Sequence, residues 1–477
     1  MTVRVFEAFS GVGSQRMALR NLGIDHEVVA ISDVDEFTVK SYTAIHDNDK
    51  VVSQATDEEM QDYLEKRNIP LNNKGVRKIL KGNKLREFYE ACIKSNNLGD
   101  ISKVETQDIP DHDLFTYSFP CQDISVAGKG LGLNEGSDTR SGLLWECQKV
   151  IYGKRPKYLL LENVKNLVGK KHKHNFDKWL VWLEEQGYTN YWQVLNAKDY
   201  GIPQNRERVF VVSILGHHEP YEFPEPIELE LRLKDVLEDQ VDEKYYLDNE
   251  KANKLISTVA SKHEINEPTP TDGSIKKPRP KEVANAIMAR YDCGVSSQQS
   301  IGTMVIEPKA ERIGGIFDKD GTKHQAGAVW DKEQLSPTLD TMQGGWRQPS
   351  VVVDQVRMLA ETKRPNDEIG VTLKANGDIR PHRMDKKKSG IQELNVNHED
   401  NSSHTITTNH MPKVYGDTTS YRIRKLSPLE CWRLMGFSDD DFHKAEEVNS
   451  ATQLYKQAGN SIVVDVLEGI FKQLLEE

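Results

Sequence analysis

A chain of 477 residues is too long for one ordinary core, so two or three folding units are expected. With 37% apolar and 29% charged residues it reads as soluble and globular, and no run approaches the roughly 20 apolar residues of a membrane span. The net charge of −11 argues mildly against a nucleic-acid partner, but phosphate contacts depend on local basic surface, so composition leaves that open. Cys92, Cys121, Cys147, Cys293 and Cys431 are scattered and form no C-x-x-C pair, which suggests neither a disulfide framework nor a metal site. A reducing cytoplasm fits. MTVRVFEAF has no charged n-region, so no signal peptide is expected.

In chain order, VRVFEAF (3–9) reads as a strand, Gly11 and Gly13 as a turn, and QRMALRNLG (15–23) as an amphipathic helix with a glycine cap. HEVVAISDVD (26–35) is a second strand closing on acidic residues. Residues 50–98 are polar and helix-prone, a helical insertion between strands. DLFTYSFP (113–120), YLLLEN (158–163) and RVFVVSIL (208–215) are further strands, with helices such as FDKWLVWLEEQG (176–187) between them. This alternation predicts an α/β fold with a doubly wound, mainly parallel sheet.

After Gly216 the texture changes. Residues 217–420 are rich in Gly, Pro, Thr and Asn, with short strands and no βαβ rhythm. Three stretches (285–308, 327–353, 389–414) share a loose pattern that fits either a degenerate repeat or β-rich texture. From Tyr421 compact helical patterns return. The expected domains are therefore 1–216, 217–420 as a separate β-rich module, and 421–477 returning to the first domain.

FSGVG (9–13) after a strand lets backbone N–H groups and a helix N-terminus approach an adenosine-containing cofactor, with Asp33 at the next strand end for ribose hydroxyls. Alone it is a weak signal and fits a plain turn equally well. SFPCQDIS (118–125) is stronger: a strand delivers Cys121 to its carboxyl end, in a loop rich in Gly, Ser and Lys, although most cysteines are simply small buried hydrophobes. LLLENV (159–164) places Glu162 beside Cys121 if their strands are neighbours, where burial favours the protonated acid. QNRERVF (204–210) puts Arg206 and Arg208 on one face of a strand by the period of two.

Taken together, FSGVG, GDI (99–101), FPCQ, DTRSGLLWE (138–146), ENV, QNRER, RIRKLSPLECWRLMGF (422–437) and QAGNSIVVDVLEGI (457–470) resemble, in order and spacing, the DNA (cytosine-5) methyltransferases of bacterial and phage restriction-modification type. The resemblance covers about 1–216 and 421–477. It implies the S-adenosylmethionine-dependent methyltransferase fold with a target-recognition domain in the middle, where SPTLDT (336–341) and SHTITT (403–408) both match a Thr-Leu element of the family.

The resemblance also implies roles. Cys121 is the nucleophile that adds to C6 of a flipped-out cytosine, Glu162 holds the N3 edge, Arg208 reaches O2, Asn163 shapes the loop and Arg206 meets the DNA backbone. For the S-adenosylmethionine cofactor it implies Phe9, Gly11, Val12, Gly13, Asp33, Asp100, Leu143, Asn460 and Ser461. Where the family often carries Glu-Trp, this chain has Asp33-Val34, without the stacking aromatic. Residues 122–140, with glycines at 128, 130, 132 and 136, fit a lid over the base. Double-stranded DNA is the expected partner of a monomeric cytoplasmic enzyme with no membrane contact, and a cognate restriction endonuclease acting separately is compatible with this. Two other readings stay open at this point: an RNA methyltransferase on the same scaffold, and a DNA-binding relative without catalysis. A nicotinamide dehydrogenase is disfavoured by the missing third glycine.

Overall fold

A computed structural model of the chain describes residues 2–47, 52–72, 75–120 and 140–247, shorter stretches between 255 and 383, and 420–475. Strand β1 (Val3–Ala8) enters the glycine turn and helix α1 (Ser14–Asn21). Strand β2 (His26–Ser32) follows, and helix α2 (Glu36–His46) starts at Asp35, whose carboxylate accepts the N–H groups of Phe37 and Thr38. Residues 50–98 contribute two helices, α3 (Asp57–Lys66), opened by a Thr56–Glu59 capping box, and α4 (Asn83–Lys94). Their apolar faces meet α2 in a small core of Val39, Met60, Leu64, Phe88 and Cys92.

The chain continues through β3 (Leu114–Tyr117), α5 (Cys147–Lys154), β4 (Tyr158–Val164), α6 (Lys173–Glu185), β5 (Tyr188–Asn196), the short β6 (Gln204–Asn205) and β7 (Glu207–Leu215). All but β6 form one sheet in the order β2-β1-β3-β4-β7-β5. The first four strands are parallel, while β7 runs antiparallel to both β4 and β5. Side chains alternate between two cores. Phe6, Phe115, Leu159, Leu161 and Val211 face Trp179 and Leu183 of α6, whereas Val5, Leu114, Leu160, Phe210 and Val212 face Met17 and Leu19 of α1. Burial on both sides is why YLLL reads as an unbroken apolar run. Strand order reverses at β1, with β2 on one side and β3 on the other. That opens a crevice at the carboxyl ends of the parallel strands, where α/β proteins place their ligands.

Four more helices close the second core: α7 (Pro428–Arg433), α8 (Asp439–Glu446), α9 (Ala451–Asn460) and α10 (Val464–Leu475). Leu467, Ile470 and Phe471 pack in the same cluster as Met17 and Ala18. Arg424 and Glu430 form a fully buried two-pronged pair at 2.8 and 2.9 Å, and Glu430 also serves the capping box of Ser427.

The change of composition at Gly216 is not a change of packing. Tyr221, Leu233, Val236, Ala284, Ile287 and Val305 are buried in the cluster that holds α1 and α10. One compact unit accordingly comprises Met1–Leu247, Pro270–Val305 and Arg424–Glu477, and the second comprises Asp248–Thr269 and Ile306–Ile423. Polar, Pro-rich segments can wrap a core with only one apolar residue in several turned inward, which residue counts do not register. In the second unit, strands Arg312–Gly315, Ala328–Trp330 and Ser350–Val351 form one small sheet, and Ile369–Leu373 pairs antiparallel with Ile379–Arg383. SPTLDT and SHTITT, and most of the three stretches compared for a repeat, lie outside the described residues.

Candidate functional site

The carboxyl edge of the sheet gathers the predicted residues in two groups. The first surrounds the glycine turn. Phe9 has φ +56° and donates its N–H to the Ser32 carbonyl at 2.7 Å, which ties the end of β1 to β2. Gly11, also at positive φ, donates its N–H to Asp33 Oδ2 at 3.1 Å. A Cβ at Gly11 would find nothing within 4 Å, so the turn presents bare backbone to open space. Gly13 is required for the opposite reason: at φ +83°, a Cβ there would lie 2.3 Å from His46 Nε2. His46 Nε2 is itself 3.0 Å from the carbonyl of buried Val12. Burial pushes the His46 pKa well down, so the ring is neutral and its Nε2–H donates to that acceptor.

Asp33 is half-buried, and desolvation raises its carboxyl to about 6 against the hydrogen bonds of Asp35 and Gly11. Asn97 links it to the GDI loop. Its side chain accepts the N–H groups of Asp33 (3.1 Å) and Gly99 (3.0 Å) and donates to the Asp33 carbonyl (3.0 Å). Asp100 accepts from Asn68 Nδ2 at 2.7 Å and caps the short turn at 101–103 through Ser102, so its carboxylate is oriented by both neighbours. The supposed insertion therefore supplies Asn68 and Asn97, which frame this group. Leu143 is half-buried in the turn Arg140–Leu144 and packs, like Phe9, on the α6-side core. Helix α9 docks on α2 through Lys456–Asp35 (2.5 Å), Gln457–Ser41 (3.1 Å) and Gln457–Phe37 (3.2 Å). Its end carries exposed Asn460 and buried Ser461.

The second group lies at β3, β4 and β7. Because β7 is antiparallel, its first residues sit at the same edge as the last residues of β4, with Arg208 paired to Val164 and Phe210 to Glu162. Arg208 Nε lies 3.1 Å from Glu162 Oε1. Glu162 is buried, and desolvation raises its pKa against the opposing pull of Arg208, Arg206 and the Ser118 hydroxyl. Asn163 donates to the Phe119 carbonyl at 2.9 Å. Glu162 and Asn163 thus grip the two residues before Pro120, and Cys121 follows; Cys121 and the expected lid, save Arg140, lie outside the described residues. The described cysteines are no alternative nucleophiles. Cys92, Cys147 and Cys431 are buried, and burial pushes their thiols up, for Cys92 to about 12.

A family model described as C-5 cytosine-specific DNA methylase matches residues 55–476. The chain belongs to this family. The type II methyltransferase M2.ScrFI of Lactococcus lactis subsp. cremoris is 38% identical over 482 residues, covering 99% of each chain. The orphan methyltransferase M.Rho11sI of Bacillus phage rho11s is 30% identical over 543 residues, covering 99% of this chain and 98% of that one. This DNA (cytosine-5) methyltransferase accordingly methylates cytosine in DNA.

One expected residue of the methylase is placed otherwise than its motif suggested. Arg206 was expected beside Arg208, facing the DNA backbone. It instead lies between β6 and β7 at a kink where its N–H returns to the Gln204 carbonyl (3.1 Å), so the strand alternation is broken. It is 3% exposed, and its guanidinium donates to the carbonyls of Ile287 (2.9 Å), Gly459 (3.0 Å) and Ser461 (2.7 Å). Gln204 does similar work, accepting from Ile287 N–H at 2.9 Å and donating to the Leu434 carbonyl at 2.5 Å. Sequence reasoning also missed Asn97, Ser118 and Lys456. Only Ser118 carried a signal, in its place two residues before Pro120. A separate cavity of about 330 Å³, lined by Met17, Asn21, Arg433, Ser438 and Asp441, touches none of these residues. Its charges are spent on Arg20–Asp441 and Arg433–Asp439 pairs.

Proposed function

We propose that the methylase transfers a methyl group from S-adenosylmethionine to C5 of a cytosine flipped out of duplex DNA, through a covalent bond between Cys121 and C6. The observation that carries this reading is the pair of buried Glu162 and half-buried Arg208, 3.1 Å apart at the strand edge that leads to Cys121. Cytosine C5 is a poor nucleophile until a thiolate adds at C6 and the ring electrons move towards N3 and O2. A raised-pKa Glu162 can keep a proton for N3, and Arg208 beside it offers N–H donors to O2. C5 then bonds to the methyl carbon as that carbon's bond to the sulfonium sulfur breaks; the C5 proton leaves to a base, the N3 proton returns to Glu162, and the C6–S bond breaks to restore the thiolate. The base must leave the stack for any of this, at a cost of a few kcal/mol.

The first group of residues suits the cofactor. S-adenosylmethionine supplies an electrophilic methyl group on a sulfonium. The open side of Gly11 gives room for close backbone approach, and the Asp33 and Asp100 carboxylates suit hydroxyl and amino donors. Phe9, Val12, Gly13 and Leu143 would complete the adenosine side, with Asn460 and Ser461 at the amino-acid end. Residues 248–269 and 306–423 would read the target sequence, since base-edge readout needs surface beyond the catalytic unit.

The test is incubation with labelled S-adenosylmethionine and duplex DNA carrying 5-fluorocytosine at the target. A protein–DNA adduct resistant to denaturing electrophoresis is expected, because fluorine cannot leave as a proton does, and Cys121→Ser should form none. Methyl transfer by Cys121→Ser, or transfer to RNA in preference to duplex DNA, overturns the reading.

A further inference from the structure

Helix α3 ends on a left-handed residue that is not glycine. Asn68 has φ +53°, its N–H returns to the Glu65 carbonyl at 2.9 Å, and the N–H of Ile69 returns to the Leu64 carbonyl at 3.0 Å. This is a Schellman ending, in which glycine is the usual residue and asparagine an occasional one. Ile69 and Leu64 complete it as members of the small core that also holds Met60 and packs against Val34. The ending asks nothing of the Asn68 side chain beyond tolerance of positive φ. A bare cap would leave that amide in water. Instead its Nδ2 donates to Asp100 Oδ2 at 2.7 Å, and Asp100 is only 9% exposed. The backbone on either side is fastened to the same group. The Arg67 carbonyl accepts the Asp100 N–H at 3.0 Å, the Leu71 N–H donates to the Val34 carbonyl at 2.9 Å, and a Cβ at Gly99 would lie 2.5 Å from the Arg67 oxygen. A carboxylate offers about four acceptor positions. At Asp100, Oδ1 takes the N–H and the hydroxyl of Ser102, at 3.0 and 2.9 Å, and Oδ2 takes Asn68. Among the described residues one position, on Oδ2, is left for a donor from outside the protein.

We propose that Asn68 is a positioning residue for purine specificity: by holding Asp100 Oδ2 it leaves a single acceptor for the 6-amino group of the cofactor and turns away a 6-oxo purine. The inference rests on the reading that S-adenosylmethionine binds at the glycine turn, and it adds the helical insertion to the segments that select it. The chemistry is a match of donor to acceptor. A 6-amino group brings an N–H to the fixed oxygen, whereas a 6-oxo group sets a lone pair against it and leaves both unsatisfied.

Binding, rather than turnover, tests it. The full chain is titrated by calorimetry with S-adenosylhomocysteine and with S-inosylhomocysteine, which carry a 6-amino and a 6-oxo purine. The wild type should prefer the amino compound by at least about tenfold, the worth of a hydrogen bond to a charged group. Asn68→Gly is the deciding variant, because glycine takes positive φ more readily than asparagine and so keeps the helix ending while removing the amide. It should unfold no earlier than the wild type, yet bind S-adenosylhomocysteine about tenfold more weakly, with S-inosylhomocysteine little changed. Asn68→Asp keeps the shape and the tolerance of positive φ, replaces the donor with an acceptor, and should lose the preference too. A wild type without preference, or a preference that survives in either variant, overturns the inference. So does an equal loss of both ligands in the glycine variant, the mark of a purely structural role. Failure of the wild type to bind S-adenosylhomocysteine at all overturns the cofactor reading instead, and is seen before any variant is made.

Discussion

The two groups at the carboxyl edge are built from different materials. Around the glycine turn, geometry is held mostly by hydrogen bonds from neutral groups, namely backbone N–H groups, the Asn97 amide and a neutral His46, with the Asp33 carboxyl and the Lys456–Asp35 pair adding charge at its margin. At β4 and β7 it is held by charge, with Glu162 and Arg208 facing each other and buried Arg206 behind them. A neutral amide network tolerates changes of pH and salt and sets shape. A part-buried ion pair responds to both, and on the proposed mechanism its protonation state is part of the chemistry. Both groups hold a raised carboxyl, Asp33 in one and Glu162 in the other, but only Glu162 faces an arginine.

The largest expected effect lies in the charged half. Glu162→Gln keeps the shape and an N–H donor but loses the acid, so single-turnover methyl transfer at saturating DNA should slow about 10²–10⁴-fold while DNA and cofactor still bind. On the proposed mechanism the rate needs protonated Glu162 and ionised Cys121 together, so the wild-type pH profile should pass through a maximum, and the variant should lose the limb that falls with rising pH. A wild-type rate in the variant at every pH would reduce Glu162 to a strand-end residue.

Next comes Arg206→Ala, which strands the carbonyls of Ile287, Gly459 and Ser461 in the interior. Hydrogen bonds from a charged donor are worth roughly 1.5–3 kcal/mol each, so denaturant unfolding should show a loss of at least about 3 kcal/mol. Arg206→Gln, which removes the charge and keeps an N–H donor, should leave the salt slope of DNA binding untouched; a fall of about 0.9 would mean that Arg206 contacts phosphate after all.

In the neutral half, Gly13→Ala forces a side chain onto His46 at positive φ and should cost about 1–3 kcal/mol. It should raise KM for the cofactor far more than it lowers kcat, and an equal fall in kcat would dissolve the contrast between the halves. The smallest effect is a slope. Glu7, buried at the end of β1 with Tyr42 donating to it at 2.8 Å, is pushed up from 4.5 to about 7 by desolvation. A raised folded pKa gives stability that is fully present below about 4.5 and is lost as pH rises through about 7. Glu7→Gln should flatten that decline, on the order of 1 kcal/mol per pH unit at its steepest, in thermal unfolding followed from pH 4.5 to 7.5.

Much of this edge was legible in the residues. YLLLEN announced a strand buried on both faces and ending in a carboxylate, and the apolar run 208–215 put Arg208 at a strand start. What hid the rest was packing between distant segments. The alternation of QNRER assigned Arg206 and Arg208 to one face, because nothing local marks the kink at 206; its cause is the backbone of Ile287, Gly459 and Ser461. Strand β5 escaped notice because it is a sheet edge, with Trp192 and Gln193 partly in water and no long apolar run. Asn97 looked like any polar residue after a helix until Asp33 and Gly99 were seen to converge on it. Composition likewise separated 217–247 and 270–305 from the first unit, although Leu233 and Ile287 are wholly buried there.

The docking of α9 and α10 on the N-terminal helices has a consequence for how the enzyme comes into being. Arg20 meets Asp441, and Lys456 meets Asp35, each across 421 residues of sequence. A ribosome adding about 5–20 residues per second needs roughly 20–80 s to synthesise that interval. Throughout it the apolar face of α1, with Met17, Ala18 and Leu19, has no α10 to cover it. Until then the second core cannot close, because the helices that complete it have not yet been made. The core around α1 is thus completed late in synthesis, by about the last fifty residues of this sequence.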